Sequence, residues 1–361
     1  KLKRNGKYRY RAVIRGNLMM HGRDYHETFA PVVRVSTLRM LFALAAQHNW
    51  EIKQGDVPTA FLKSNMDTEV YVRLPPGFND DPSMNSKADR VRTVHRMYKA
   101  CYGIPQAPHL FNKTVHGHFT TLGFVRAPDD HCLYYMPGKE LFMLIWVDDF
   151  FFFFNMQLKT KALEIWTQLN EKLDLPPWDD VHDCLACLVS RDRTTRTITL
   201  SQEQAVTTLL SKAGMGNCRS ADTPVATGFI FSKDDCPTTD AERKELKNEA
   251  AWYRSVLASC IYLGTWTRPD ISFALSKLCK FMHVFYYNGC LISWHSKLHT
   301  YVTTSTNHSE YCAAAKAARE AKLWEKLYTL LGFESVVKPI ALFSDSPRLY
   351  CNELQSSQTQ R

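Results

Sequence analysis

The chain has 361 residues, enough for two or three domains, and its 45% hydrophobic and 22% charged residues are typical of a globular protein with a sizeable core. No apolar run reaches membrane-spanning length and no signal peptide is recognisable, so no membrane partner is expected. The formal net charge of +9 fits a polyanionic partner.

The cysteines and the chain start add two expectations. The 11 cysteines are an odd number without framework spacing, which predicts reduced thiols in an intracellular compartment. The chain begins at Lys1 in mid-pattern and without an initiator Met, which predicts a fragment or a processed product of a longer polypeptide. Residues 1–11 mix Lys and Arg with Tyr, as nucleic-acid-facing segments do; the other interpretation is a solvated edge strand protected by its charges.

In the first half of the chain, the hydrophobic pattern predicts alternating strands and helices. In chain order they are a strand over 7–16, a helix capped by Ser36 or Thr37 and ending near His48, a strand over 50–57, a loop over 75–90 and a helix over 108–122.

In the second half of the chain, the hydrophobic pattern predicts more helix than in the first half. Helices are expected at 158–173, 202–213, 248–264 and 270–282, with a polar linker at 219–245. A strand at 291–296, a helix at 309–331 ended by Gly332 and a strand at 339–344 follow, and residues 354–361 are expected to fray.

Two adjacent carboxylates, Asp148 and Asp149, lie between the apolar runs 141–147 and 150–154. Burying such a pair is costly unless a cation or hydrogen bonds compensate it. The flanking runs predict two buried strands with the pair at the turn between them, and Mg²⁺ is the usual partner of such a pair. The other interpretation is a solvent-exposed hairpin tip that merely prefers Asp.

Asp56 is the second candidate, because it closes the strand over 50–57. Carboxylates at the end of one strand and at the turn of a neighbouring hairpin can converge at one edge of a sheet. That arrangement suits two metal ions and in-line nucleotidyl transfer. Alternatively, Asp56 is a turn residue before Pro58.

A weak zinc half-site, Cys184 and Cys187 with His182 nearby, has no second half at usable spacing, so no zinc is expected there.

Six ordered motifs resemble the reverse transcriptase of copia-type long-terminal-repeat retrotransposons (Pseudoviridae), which is part of a Pol polyprotein. They are DYHETFAPVVR (24–34), QGDVPTAFL (54–62), VYVRLPPGF (70–78), YGIPQAP (102–108), WVDD (146–149) and RPDI (268–271). The resemblance covers residues 7 to about 282 and continues into a remnant of ribonuclease H (RNase H).

The resemblance implies an α+β right-hand polymerase with fingers, palm and thumb and an antiparallel palm sheet. A degenerate RNase H-like α/β lobe would follow. The implied divisions are fingers and palm over 1–190, a mostly helical thumb or connection over 191–285, and a truncated RNase H-like region over 286–361.

The resemblance also implies residue roles. Asp56, Asp148 and Asp149 match the catalytic aspartates that hold two Mg²⁺ or Mn²⁺ ions, chiefly through Asp56 and Asp148. Arg11, in the predicted N-terminal strand, matches a residue that contacts the incoming triphosphate, and an Arg fork suits phosphate oxygens. Gln106 matches a residue near the sugar of the nucleotide. Their structural alternatives are a surface Arg and a helix-start residue before Pro108.

The implied partners are an RNA or DNA template with its primer, deoxynucleoside triphosphates, and a second copy or other Pol products. The implied location is a cytoplasmic virus-like particle and the nucleus.

Several positions depart from the family pattern. Trp146 replaces a Tyr, and residues 150–154 are five Phe where the family has mixed aliphatic residues, which predicts overpacking. Residues 176–190 replace a Gly-rich connection to the thumb, in the region that the resemblance implies would grip the primer.

The RNase H motifs are LISWHSK (291–297), TSTNHSEY (304–311) and FSD (343–345). Glu310 and Asp345 match two of its metal-binding carboxylates. The opening strands and the first catalytic Asp are missing between His283 and Leu291, so no RNase H activity is expected.

Three functions follow in order of support: an RNA-directed DNA polymerase, a decayed or domesticated copy that binds nucleic acid without catalysis, and a metal-dependent nuclease. The nuclease would leave Gln106 and the polymerase motifs unexplained.

Overall fold

A computed structural model describes residues 11–73, 94–224, 252, 255–275, 282–287, 290–296 and 306–332. The chain divides into two compact units, each of which combines two stretches of sequence. The first contains Lys1–Arg34 and Trp50–Asp180, and the second contains Val35–Asn49 and Val181–Arg361. Helices and antiparallel sheets occur together, which confirms the predicted α+β class; the finer division into three parts stays a prediction.

The first unit is built on a six-stranded antiparallel sheet with the strand order β4-β5-β6-β7-β1-β8. Its strands are β1 (Glu51–Asp56), β4 (Val125–Arg126), β5 (Leu133–Tyr135), β6 (Leu141–Trp146), β7 (Asp149–Phe154) and β8 (Asp179–Asp180). Strands β2 (Tyr71–Val72) and β3 (His95–Arg96) form a separate short ladder. The strand β7 is central, because it pairs with both β6 and β1.

The helices of the described residues have the following bounds. They are α1 (Val35–His48), α2 (Ala107–Thr121), α3 (Lys159–Leu173), α4 (Glu203–Lys212) and α5 (Thr306–Leu330), with residues 255–266 and the short turn Ser272–Leu275 also helical. Helix α1 lies in the second unit, whereas α2 and α3 lie in the first.

The core of the first unit lies between the sheet and helices α2 and α3. Alternate residues of the Phe run, Phe150, Phe152 and Phe154, pack with Phe119 of α2 and Trp166 of α3 in one cluster. All five Phe are at most 2% exposed, so the strand is buried on both faces as predicted. A run of such residues outside a packed sheet would be prone to aggregation.

The unusual connection after α3 supplies ring partners for that Phe run. Trp178 stacks on Phe154 with a centroid distance of 5.6 Å, and Trp166 stacks on Phe152 at 6.4 Å. The indole of Trp166 also donates to the carbonyl of Pro176. Trp178, which lies in the segment that departs from the family pattern, therefore packs against the Phe run.

The second unit contains a three-stranded sheet and a hairpin. The sheet has the order β11-β10-β9 and the hairpin pairs β12 with β13. Their bounds are β9 (Asp183–Cys184), β10 (Cys187–Asp192), β11 (Thr197–Ser201), β12 (Met282–Tyr287) and β13 (Cys290–Ser296).

A buried arginine connects three elements of the second unit. Arg39 of α1 donates to the carbonyls of Thr265 and Trp266 at 2.7 and 2.8 Å, and to that of Ile292 at 3.3 Å. These acceptors include the last turn of the 255–266 helix, whose carbonyls lack helical partners. Burial lowers the pKa of Arg39 to about 10, so it stays charged and carbonyl dipoles compensate it.

One predicted element is wrong. Residues 11–15 form no strand, and Gly16–Leu18 is a 3-10 turn, so the strand expected over 7–16 is absent from its described part. The described beginning of the helix expected over 270–282 is helical up to Leu275, but its expected last residue, Met282, belongs to β12. The loop at 75–90, the strand at 339–344, the end at 354–361 and most of the 219–245 linker lie outside the described residues.

Candidate active site at the end of the central hairpin

The Asp pair lies at a two-residue turn, as the sequence predicts. Strands β6 and β7 pair from Leu141 with Phe154 to Trp146 with Asp149, which leaves Val147 and Asp148 as the turn residues. Val147 has a φ of 56°, in the left-handed region that a β-branched side chain rarely adopts. Such strain persists only where the surrounding structure imposes it, and it is concentrated at functional sites.

Asp56 reaches the same end of the sheet through strand pairing. Strand β1 runs antiparallel to β7, and the last pair of that ladder is Asp56 with Asp149. The amide of Val57 donates to the carbonyl of Asp148 at 2.8 Å, which fastens the end of β1 to the turn. The structure therefore brings together the three aspartates that the sequence singles out.

The three carboxylates interact electrostatically. Partial burial raises the pKa of Asp149 to about 6, and the charges of Asp148 and Asp56 add to that effect. Like charges held this close disfavour ionisation, and a bound cation would relieve them.

The donor set fits a hard divalent cation whose coordination is completed by substrate. Within the described residues, no three or more His, Cys, Asp or Glu side chains are grouped closely enough to hold a metal ion alone. Mg²⁺ is commonly held by only one or two carboxylates together with waters and substrate phosphates. The aspartates at this turn are suited to that second arrangement.

Gly55, next to Asp56, is required by packing. A Cβ atom there would lie 2.6 Å from the indole of Trp166, far inside van der Waals contact. The small residue lets α3 pack directly against β1, so the position of Asp56 depends on a close helix–sheet contact.

Arg11 does not lie in the N-terminal strand in which the sequence predicted it, and its contact with the triphosphate stays a prediction. It is exposed and lies outside any strand, with its guanidinium carbon 4.3 Å above the ring centroid of Tyr102. Tyr102 in turn contacts Phe61, with 4.8 Å between ring centroids. Sequence reasoning missed Tyr102 and Phe61 as members of this group, although both lie in the motifs that carry the resemblance.

Gln106 is completely buried at the residue that precedes α2. Its amide nitrogen donates to the carbonyl of Asp24 at 3.1 Å, and its amide oxygen has no partner among the described residues. This geometry agrees with the helix-start interpretation, and the contact with a nucleotide stays a prediction.

The remaining predicted site residues are less informative. Glu310 lies in α5, but its side chain is outside the described residues, as is all of Asp345. Cys184 and Cys187 lie opposite each other across a hairpin turn and are buried without forming a disulfide. Burial raises the pKa of Cys187 to about 11, which disfavours the thiolate that zinc requires.

Comparison with known proteins identifies the family. The model for reverse transcriptase (RNA-dependent DNA polymerase) matches residues 1–227, and the chain belongs to this family. A Pol polyprotein from transposon TNT 1-94 of Nicotiana tabacum is 26% identical over 393 residues, covering 91% of this chain and 28% of the relative.

Two Arabidopsis thaliana relatives give the same result. The retrovirus-related Pol polyproteins from transposons RE2 and RE1 are each 30% identical over 77% of this chain and 18% of their own length. The copia-type resemblance is thereby confirmed, and the chain spans less than a third of these relatives. None of the helices in the described part of the chain is long and apolar enough to cross a membrane.

Proposed function

We propose that this chain is an RNA-directed DNA polymerase of a retrotransposon, acting by nucleotidyl transfer on a primer–template. The observation that carries the proposal is the strand register that places Asp56 opposite Asp149, beside the turn residue Asp148. Membership of the reverse transcriptase family supports it. In this proposal the six-stranded sheet is the palm, and the second unit supplies the thumb and the RNase H remnant.

The proposed cofactors are two Mg²⁺ or Mn²⁺ ions, held chiefly by Asp56 and Asp148, with Asp149 as the supporting carboxylate. When bound, such ions activate the primer hydroxyl and stabilise the leaving pyrophosphate. Asp56 and Asp148 would orient these ions because β1 and the strained turn fix their backbones. The Phe run excludes water from the sheet beneath them.

The proposed partners are an RNA or DNA template with its primer and deoxynucleoside triphosphates. Arg11 would bind the triphosphate, and Gln106 would lie near the sugar. A second copy or other Pol products are proposed as protein partners, in a cytoplasmic virus-like particle and the nucleus. We also propose that the truncated RNase H region is inactive, because the opening strands and first catalytic Asp of its family are missing from the sequence.

A second function, a decayed copy that binds nucleic acid without catalysis, is favoured by one observation. The hairpin turn at Leu185 and Ala186 places both residues at positive φ, 52° and 63°, which is unfavourable for residues other than glycine. It falls in the segment that departs from the family pattern and that the resemblance implies would grip the primer.

The deciding experiment measures deoxynucleotide incorporation on a primed RNA template with Mg²⁺. The wild type is compared with Asp148→Asn and with Asp67→Asn, a control at an exposed aspartate of the same unit. We expect incorporation by the wild type and the control, and a loss of at least about 100-fold in Asp148→Asn.

Each other outcome has a distinct meaning. No incorporation by a folded wild-type protein would reject the enzyme. Duplex binding that weakens with salt but yields no product would favour the decayed copy. Equal activity in the wild type and Asp148→Asn would show that the site assignment is wrong.

A further inference from the structure

Arg11, Tyr102 and Phe61 form a column of contacts in the first unit, in which the Tyr102 and Phe61 rings are tilted by 56° to each other. The guanidinium carbon of Arg11 lies 4.3 Å from the Tyr102 centroid, and the Tyr102 and Phe61 rings are 4.8 Å apart. A guanidinium over an aromatic face is attracted by the ring quadrupole. Stacking occupies the flat face of the guanidinium and leaves its N–H edge available for another group.

The segment that carries Arg11 is fastened to the loop that carries Tyr102. The amide of Ile14 donates to the carbonyl of Tyr102 at 2.8 Å. A Cβ atom on Gly16 would lie 2.0 Å from the carbonyl oxygen of Gly103, and one on Gly103 would lie 2.1 Å from that of Ile14. Gly103 also has a φ of 94°. The two backbones therefore approach so closely that only glycine fits at either position.

Phe61, the last residue of the column, lies close in sequence to Asp56. Phe61 belongs to the 3-10 turn Ala60–Lys63, which begins four residues after Asp56. Phe61 also meets Phe111 of α2 at a centroid distance of 6.2 Å, so its ring is held from a second side. Tyr102 thus contacts a ring whose position is set by the core of the unit.

A second arginine–tyrosine stack in the same unit provides a contrast. Arg96 lies over Tyr98 at 5.5 Å, but it also pairs with Glu69 at 3.6 Å. Arg11 has no carboxylate partner within the described part of the chain. Among the described residues, the charge of Arg96 is compensated by Glu69, whereas that of Arg11 is not compensated by a carboxylate.

We infer that Tyr102 is a positioning residue that holds the guanidinium of Arg11 in the orientation required to bind the triphosphate of the incoming nucleotide. This inference rests on the proposed polymerase function and on the predicted role of Arg11. It assigns to Tyr102 an effect on nucleotide affinity that depends on its ring and not on its hydroxyl.

The test is a steady-state titration of deoxynucleoside triphosphate on a primed RNA template. It uses wild type, Tyr102→Leu, Tyr102→Phe and the control Tyr98→Leu. We expect Tyr102→Leu to raise KM for the nucleotide about tenfold with kcat within about twofold, because only the stacking that orients Arg11 is lost. Tyr102→Phe keeps the ring, so we expect it to behave as wild type, and so should Tyr98→Leu.

A double-mutant cycle isolates the coupling. If Tyr102 acts through Arg11, Tyr102→Leu has little further effect on KM in an Arg11→Gln background. Additive effects, or an unchanged KM in Tyr102→Leu, overturn the inference while leaving the polymerase function intact.

Two further outcomes are distinguishable. A parallel fall in kcat and in thermal stability in Tyr102→Leu would show a structural role only, and would also overturn the inference. An inactive but folded wild type would reject the proposed function and the inference with it.

Discussion

Two hairpin turns of this molecule have similar backbone conformations but different surroundings. The turn Val147–Asp148 of the first unit and the turn Leu185–Ala186 of the second each join antiparallel strands through two residues, and each contains a non-glycine residue at positive φ. Glycine, Asn or Asp usually occupies such positions. Both turns therefore carry backbone strain that the sequence does not relieve.

The surroundings distinguish the two turns. The first is held by buried strands on both sides and by the hydrogen bond from Val57 to Asp148, and it carries the aspartates. The second is flanked by buried thiols and is held by the hydroxyl of Tyr262, which donates to the carbonyl of Leu185 at 2.9 Å. Under the proposed function, the strain of the first turn would hold a catalytic group in place, whereas the strain of the second turn would only lower stability.

The largest expected effect tests how firmly the first turn is supported. Phe152→Ala should lower the free energy of unfolding by about 3–5 kcal/mol, because it removes a fully buried ring from the aromatic cluster. Leu188→Ala in β10, at a side chain that is 49% exposed, should cost less than about 1 kcal/mol. Urea titration of both variants measures the difference, and equal losses would remove the contrast.

The next effect concerns the pH dependence of stability. The pKa of Asp149 is raised from its usual 3.8 to about 6, so the folded state binds this proton more tightly than the unfolded state. Its contribution is therefore present below about pH 4 and is lost as pH rises through 6. Because Asp149 is only partly buried, solvent screening reduces the effect, and stability should fall over that interval by about 1–2 kcal/mol without metal. Asp149→Asn should abolish the fall.

Asp192, at the end of β10, is the matched control for that measurement. A hydrogen bond from Thr195 is the main cause that lowers the pKa of Asp192, so its contribution is lost as pH falls. Unfolding measured from pH 4 to 7 in Asp192→Asn should keep the Asp149-dependent decline. A wild-type stability that rises between pH 4 and 6 would contradict the crowding of the three aspartates.

A smaller effect tests whether the backbone strain at Val147 contributes to activity or only lowers stability. Val147→Gly should stabilise the fold by about 0.5–1 kcal/mol, because glycine accepts the left-handed conformation. The freed turn should position Asp148 less well, and incorporation should fall about tenfold. Thermal unfolding and single-turnover incorporation on one preparation test both parts, and unchanged activity would show that the strain has no role.

The smallest effect is the counterpart in the second turn. Ala186→Gly should also gain about 0.5–1 kcal/mol, because its φ of 63° is equally unsuited to a side chain. Incorporation should stay within about twofold of wild type, because this turn carries no catalytic group. Loss of activity comparable to that of Val147→Gly would show that the second turn also contributes to function.

Periodic apolar patterns are local, and they predict most of the elements. Helices α2 and α3 and the strands β1, β6 and β7 lie within one or two residues of their predicted bounds. Where a periodic pattern has no pairing strand or packing surface, the predicted element does not form. Alternation at 7–16 predicts a strand, but in the described part of that segment Ile14 is fastened by a single bond to Tyr102 and joins no ladder. Leu163 of α3 is apolar yet 48% exposed, so apolar character alone does not place a side chain in the core.

Some features of the candidate site were likewise predicted from the sequence, and others became visible only in the structure. Three aspartates and their convergence follow from the strand pattern, whereas the stacking of Arg11 on Tyr102 joins residues 91 positions apart along the chain, a distance that periodicity does not report. The stacking of Trp178 on Phe154 is likewise a contact between distant residues that periodicity does not report.

The sequence by itself determined the family, the positions of the aspartates and the hairpin that presents them, because hydrophobic periodicity and ordered motifs are properties of the chain. The tertiary structure decided the sign of φ at Val147, the raised pKa of Asp149 and the partner of Arg11. Those properties depend on which distant groups come into contact on folding, and close packing and mutual charge act only between groups already brought together.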